Sequence, residues 1–379
     1  MSIIVPKNNK KEKIELEPTY KLIEAIKKYG PRNFSLLSRV TGIPVETIRY
    51  KICKQFKEKG IGVHLGIDYN KLALVRTWVK LEFQESFLQY AEKFLWKLSE
   101  IGYLIYYAST LPYNEYYAMF AIPTRYRKEY RNFLDSLIEE EVLNNYYAYE
   151  LTSCRHLSLN AKYFDFDNWE WKIDWNNLES PDINVEQPFE SEPLKDPLVD
   201  YQDLLILKEL QINSLRSLSE IAMKLNMNPR TVLYHFNEHI IRRGIINQYY
   251  IKWWYNRIPE EEKVSLILQV YDVNEREIRI LKEEVEKLPF TFFDAYSLEN
   301  RFYIAQQLLP ATYINNTLKY LTRIKKVYKM NNFDLEFIEK ERAFAIPYEK
   351  FDEKRSWIFN KEEILREVLL INSKISEKK

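Results

Sequence analysis

The sequence predicts an α+β fold made of two tandem units, each a winged helix-turn-helix followed by a ferredoxin-like βαββαβ domain. Three observations carry this. "PVETIRYKICKQFKEKGIG" returns later as "NPRTVLYHFNEHIIRRGII", with Thr47, Tyr50 and Gly60 matched by Thr231, Tyr234 and Gly244 at one constant offset. Ahead of each glycine lie three segments of helical period, and Leu22, Ile26 and Leu37 keep step with Ile206, Leu210 and Ile221. After each glycine, strand-like and helix-like stretches alternate in the same order twice. A pattern repeated at fixed offset means two copies of one structural unit.

In the first copy the helices are expected over 19–29, 36–41 and 45–59. Ile48, Ile52 and Phe56 form an i, i+4, i+8 apolar stripe on the third, and Gly60 ends it. Two short helices, a tight turn and a third helix describe a helix-turn-helix. "IGVHLGIDYNKLAL" then stands where a wing hairpin belongs. Strand, helix, strand, strand, helix, strand follow over 74–83, 87–101, 103–109, 116–122, 126–140 and 145–151. In the second copy the helices are expected over 201–211, 217–225 and 229–243, with Asn228 capping, Pro229 in the first turn and Gly244 as the stop. "IINQYYIKWWYNRI" would be its wing, and the sheet domain runs over 264–272, 275–288, 291–296, 301–308, 311–324 and 326–337. This is an antiparallel sheet order with both helices on one face.

The domain boundaries read from this are 14–72, 73–159, 200–256 and 257–345 for the two winged helices and two sheet domains. Residues 160–199 are an acidic, proline-containing linker whose Trp169, Trp171 and Trp175 predict that its first part packs down. Residues 346–379 are an aromatic arm and a last helix. "YFDFDNWEW" resembles "YEKFDEKRSW", with Phe166-Asp167 matching Phe351-Asp352. The final stretch 360–375 has no counterpart; Ile364, Val368, Ile371 and Ile375 make an apolar stripe that Asn360 could cap.

Formal net charge is +1, so nucleic acid could be held only by a local basic surface. Cys53 and Cys154 make neither a disulfide framework nor a four-thiolate metal site, and a cytoplasmic location is expected. Seven glycines, with no Walker or dinucleotide fingerprint, argue against a phosphate loop. No apolar run approaches the ~20 residues that span a bilayer, so no membrane is expected.

The third helix of each triplet presents Thr47, Arg49, Tyr50, Lys54 and Lys57 in one copy, and Arg230, Thr231, Tyr234, Asn237, Arg242 and Arg243 in the other. Arg and Asn bond base edges bidentately, whereas Lys, Thr and Tyr more often hold phosphates. Arg49, Arg230 and Asn237 are therefore the base-reading candidates, and Lys54, Lys57, Arg242 and Arg243 the phosphate contacts. "KNNKKEK" could add a basic arm. His235 and His239 have metal-ligand spacing, but no cysteine completes a site, and the first copy has Lys51 and Gln55 there; no metal is expected. His64 and His156 read as structural. No catalytic constellation follows from spacing, so the expectation is a non-enzyme without a cofactor.

A winged helix-turn-helix before a βαββαβ domain resembles the Lrp/AsnC family of archaeal and bacterial transcription regulators, on "LLSRVTGIPVETIRYKI", "GIGVHLGIDYNKLAL" and the sheet domain after them. The resemblance implies a sequence-specific regulator of double-stranded DNA, with a homodimer or the transcription machinery as further partners. Duplication would then supply a built-in pseudo-dimer. Two features depart from the family. The segment before Gly60 and Gly244 is one residue longer, and the glycine-and-acidic turn of the effector site is missing from "YASTLPYNEYYAMF" and "YSLENRFYIAQQ". Two alternatives stay open. Siroheme decarboxylases resemble the same architecture and use His and Arg around a tetrapyrrole, which draws attention to Arg155-His156 and Arg342. A scaffold could instead use the 360–375 helix for a protein partner.

Overall fold

The computed structural model describes residues 18–111, 115–179, 192–253, 259–354 and 356–376. The basic "KNNKKEK" arm lies outside them. The first unit opens with α1 (Pro18–Tyr29), α2 (Phe34–Thr41) and α3 (Val45–Tyr50), which continues through a π-helical segment Lys51–Gln55 into α4 (Phe56–Glu58). Strand β1 (Gly62–Ile67) follows. The sheet domain is β2 (Leu74–Phe83), α5 (Ala91–Ile101), β3 (Leu104–Leu111), β4 (Tyr116–Pro123), α6 (Arg127–Glu139) and β5 (Leu143–Glu150), continued by β6 (Ser153–His156). A small hairpin, β7 (Phe164–Asp165) and β8 (Glu170–Trp171), ends the unit.

The second unit repeats the order. It has α7 (Tyr201–Ile212), α8 (Leu218–Lys224) and α9 (Pro229–Tyr234), a π-helical segment His235–Ile241, and β9 (Ile246–Lys252). Then come β10 (Lys263–Tyr271), α10 (Glu275–Lys287), β11 (Thr291–Ser297), β12 (Phe302–Pro310), α11 (Ile314–Val327) and β13 (Phe333–Ala343). A matching hairpin, β14 (Phe351–Asp352) and β15 (Ser356–Trp357), leads into α12 (Lys361–Ser376). Both third helices contain a π-helical segment, a winding that can take up one extra residue without breaking a helix.

The expected α+β architecture is present, but the units interlock more deeply than a tandem arrangement requires. Among the described residues neither wing is a hairpin of its own. β1 and β9 pair with each other, from Gly62 opposite Lys252 to Ile67 opposite Ile246. The physical reason lies after β1: Asp68 accepts hydrogen bonds from the Asn70 and Lys71 amides (3.1 and 3.4 Å) and caps a 3₁₀ turn, so the chain moves on to β2 instead of folding back. The open edge of β1 is then satisfied by the other unit. Gly66 stands opposite Gln248, and a Cβ there would overlap the Gln248 side chain.

The two sheet domains also fuse, into one nine-stranded antiparallel sheet in the order β5-β2-β4-β3-β13-β10-β12-β11-β6. The last strand of each domain pairs within its own unit, and the chain then extends to the second strand of the other domain: β6, after β5, runs beside β11, and the end of β13 beside β3. This accounts for a misreading of the sequence. A strand was expected over 326–337, yet α11 runs on to Val327 and the strand extends to Ala343. Its charged half, "EKERA", is stabilised by pairing with β3 and so carries little strand propensity of its own.

Three clusters fill the interior: one beneath each lobe of the sheet and one in the first helix-turn-helix, where Leu22, Ile26, Ile48, Ile52 and Phe56 meet Trp253 of the other unit. Each such buried side chain contributes roughly 1.5–3 kcal/mol. Trp171 stacks with Trp253 (6.1 Å) and edges onto Phe290 (4.8 Å). The hairpin registers pair Phe164 with Trp171 and Phe351 with Trp357, so Phe351-Asp352 corresponds to Phe164-Asp165 and not to Phe166-Asp167. Asn360 caps α12 (Glu363 N to Oδ1, 3.1 Å), and Ile364, Val368 and Ile371 are buried against α5 and α6. The apolar stripe that a scaffold would offer to a partner is thus covered by its own chain as far as it is described.

Candidate active site

Where the two halves of the sheet meet the β1–β9 ribbon, the structure holds a cavity of about 480 Å³. Its walls follow the pseudo-symmetry of the duplication. On one side Tyr106 lies in register between Met119 and Ala343. On the other, Phe293 lies between Gln306 and His156. One half therefore offers an imidazole where the other offers a methyl group. A duplicated chain can make its two halves different, which identical subunits cannot.

The ribbon contributes Tyr250 and Lys252, two residues apart and on one face of β9. His156 stacks on Tyr250 (ring centres 4.7 Å, 16° between planes), and Tyr250 also stacks with His64 (5.2 Å, 19°), its register partner on β1. The Lys252 ammonium stands 5.0 Å from the ring centre of Phe292 and 5.7 Å from that of Tyr250. Arg76 is buried with its guanidinium 5.0 Å from the Tyr69 ring centre. Lys263 and Arg342 also line the cavity, against Glu341 as the one lining carboxylate among the described residues. Glu341 is already engaged: it accepts from Tyr106 (2.7 Å) and Gln306 (2.6 Å). The cavity thus presents a surplus of cations over apolar and aromatic walls, the arrangement suited to a flat organic anion.

Burial, the charges of Lys252 and Arg76 and the neighbouring His64 push His156 down to about 3, and burial with Lys252 pushes His64 down to about 4. Both imidazoles are neutral at pH 7. Burial likewise lowers the Lys252 ammonium from its ordinary value, with Glu341 partly opposing. Two histidines depressed in the folded state make the unfolded chain the better proton acceptor. Stability is therefore full above about pH 6.5 and falls as pH drops toward about 4 and then 3. His156→Phe is expected to flatten this acid limb in urea denaturation measured between pH 7 and 4. An unchanged slope would mean the imidazole is not held neutral by its surroundings.

Arg155, the neighbour of His156, points the other way, as strand alternation demands. It pairs with Asp294 through Nε (2.7 Å) and Nη2 (2.5 Å), and Glu286 stands 3.6 Å away. Of the Arg155-His156 pair noted in the sequence, only His156 reaches the cavity. Tyr250, Lys252 and Arg76 carried no motif; they are brought there by the cross-unit ribbon and the fused sheet.

The residues read as DNA contacts lie elsewhere, and none lines the cavity. Thr47, Arg49, Tyr50, Lys54 and Lys57 are exposed on α3, the π segment and α4. Arg230, Tyr234, Asn237, Arg242 and Arg243 are exposed on the second copy, with Thr231 half-buried. Several are engaged locally: Arg49 lies 3.5 Å from Glu46, Arg242 bonds Glu238 at 2.7 Å, and Arg243 donates to the Leu198 carbonyl. Among the described residues no helix is long and apolar enough to cross a membrane.

No protein-family model matches the chain, and no curated protein matches it in sequence. Among solved structures it is similar along nearly its whole length to the siroheme decarboxylase NirDL. That similarity has 14% identity and a TM-score of 0.51, over 95% of this chain and 100% of that one. A structure of the same enzyme in complex with an iron-uroporphyrin III analogue matches at 13% identity and a TM-score of 0.51, over 94% and 99%. E. coli AsnC matches at 14% identity and a TM-score of 0.30, over 40% of this chain and 98% of its own. The end-to-end likeness is to an enzyme, and it overturns two expectations: that this chain is a DNA-binding transcription regulator, and that it is not an enzyme.

Proposed function

We propose that this chain is a tetrapyrrole decarboxylase of the siroheme decarboxylase kind, with its active site in the cavity between the two units. The observation that carries the reading is the cationic, aromatic-walled cavity containing one neutral histidine, in a chain whose full-length structural likeness is to such an enzyme. The cavity volume falls within the roughly 300–1,000 Å³ usual for small-molecule sites. The substrate class is an iron tetrapyrrole with several carboxylate side chains. Arg76, Lys263 and Arg342 are suited to hold those carboxylates, and Arg can do so bidentately. Apolar walls from Ile105, Met119 and Phe292 suit the macrocycle.

In decarboxylation a side-chain carboxylate leaves as CO2. The electron pair of the broken C–C bond stays on the neighbouring carbon and is quenched by a proton. Lys252 is the proton donor in this reading: it lines the cavity, and burial lowers its hold on the proton. His156 remains neutral and lines the same cavity. The test is anaerobic incubation of the full chain with siroheme, followed by absorption spectra and mass spectrometry of the extracted pigment. A saturable spectral change and a pigment lighter by CO2 are expected. A pigment that binds but keeps its mass would rule out the reaction, and absence of binding would rule out the site.

A further inference from the structure

We infer that the second helix-turn-helix carries a binding site for one divalent transition metal of the zinc class, made by Asp200, Asp203, His235 and His239. One ligand atom from each residue lies within 4.8 Å of all the others. His235 Nδ1 stands 2.7 Å from Asp203 Oδ1 and 3.7 Å from Asp200 Oδ2; His239 Nδ1 stands 3.1 Å from Asp203 Oδ2 and 3.6 Å from Asp200 Oδ2. Around a tetrahedral zinc with bonds near 2.0–2.2 Å, ligand atoms are about 3.3 Å apart. The four observed separations straddle that spacing, so small side-chain movements suffice to close the cage.

The support around the site favours a metal. Asp200 and Asp203 form the capping box of α7. Asp203 Oδ2 accepts from the Asp200 amide (3.0 Å) and Asp200 Oδ1 from the Asp203 amide (2.9 Å), so both carboxylates are oriented by backbone donors. Asp203 is fully buried, and among the described residues no Lys or Arg pairs with either carboxylate. A buried carboxylate beside a second one calls for a cation. Asp200 and His235 also line an open cleft of about 740 Å³, which gives an ion a way in.

The first unit supplies an internal control. At the corresponding positions Thr19, Lys51 and Gln55 stand in for Asp203, His235 and His239. There the Lys51 ammonium bonds Thr19 Oγ1 and Gln55 Oε1, both at 3.1 Å. One copy thus fills this place with a cation of its own, and the other with two imidazoles and two carboxylates. The sequence offered only the His235/His239 spacing; the carboxylates come from a helix start some thirty residues earlier in the chain, as the 32-residue separation of His235 and Asp203 records.

The experiment uses the full chain, stripped with a chelator and titrated with Co2+ and then Zn2+. Expected are the visible absorption bands of tetrahedral Co2+, saturating at one ion per chain, displacement by Zn2+, and a higher melting temperature with Zn2+. The double variant His235→Lys/His239→Gln installs the first unit's residues and should abolish both effects. If that variant does not fold, His239→Gln alone should weaken Zn2+ binding by more than about tenfold, since loss even of an outer partner costs about 10–100-fold. Wild type that fails to bind stoichiometrically, or variants that bind as well as wild type, would overturn the site and leave the cluster a hydrogen-bonded cap.

Discussion

Lys252→Met should lower the decarboxylation rate by about 10²–10⁴-fold, the usual contribution of a positioned proton donor, while the tetrapyrrole still binds. Lys252 lines the cavity beside Phe292 and Tyr250, and Arg76, Lys263 and Arg342 remain to hold carboxylates. The informative companion is Lys252→Arg. It keeps the charge but does not release a proton near neutral pH. If Lys252 gives the proton, the rate stays low with Arg and binding is near normal. If Lys252 only anchors a carboxylate, Arg restores the rate and Met raises KM instead. Rates and KM for the three proteins separate the two roles, and a Met variant as fast as wild type removes Lys252 from the chemistry.

The second large effect is on folding. Asp294→Ala should destabilise the chain by about 3–5 kcal/mol, because it removes both hydrogen bonds of a buried guanidinium and leaves it only Glu286 at 3.6 Å. The Arg155 and Asp294 side chains are only 11% and 2% exposed, and their bidentate pair joins β6 of the first unit to β11 of the second. The charge on Arg155 is reinforced by Asp294 and Glu286 against the cost of burial, so it does not neutralise itself. Removing both partners as Arg155→Met/Asp294→Leu should cost less than the single change, since no buried charge is stranded and only the Tyr303 hydroxyl, which donates to Asp294 at 3.1 Å, loses its partner. Urea unfolding of the three variants checks this. A single variant within about 1 kcal/mol of wild type would mean that Glu286 or water takes over the pairing of Arg155. Because β6 also carries His156, the single variant should lose activity with stability.

The duplication, the helix-turn-helix order and most sheet elements were legible in the sequence, because each rests on local signals. The apolar stripe Ile48, Ile52 and Phe56, the cap at Asn228 and the stop at Gly244 act within a few residues of themselves. The same local reading took exposed basic helix faces for the functional surface. Arg49 and Arg230 look alike whether a helix meets DNA or only water. The cavity had no such signature, since its residues come from strands of both units, β1 to β4, β6 and β9 to β13, and are brought together only by the fold.

The sequence by itself determined that two copies of one α+β unit would form, since period, caps and stops are properties of short stretches of chain. Only the tertiary structure decided how the copies complete one another. β1 found its partner in β9, β6 crossed to β11, and the end of β13 crossed to β3. Strand pairing is satisfied by any edge of suitable register, so the choice between a neighbour and the other unit is made by packing over the whole molecule. That choice placed His156 opposite Ala343 across one shared cavity, and so turned a repeated fold into a single asymmetric site.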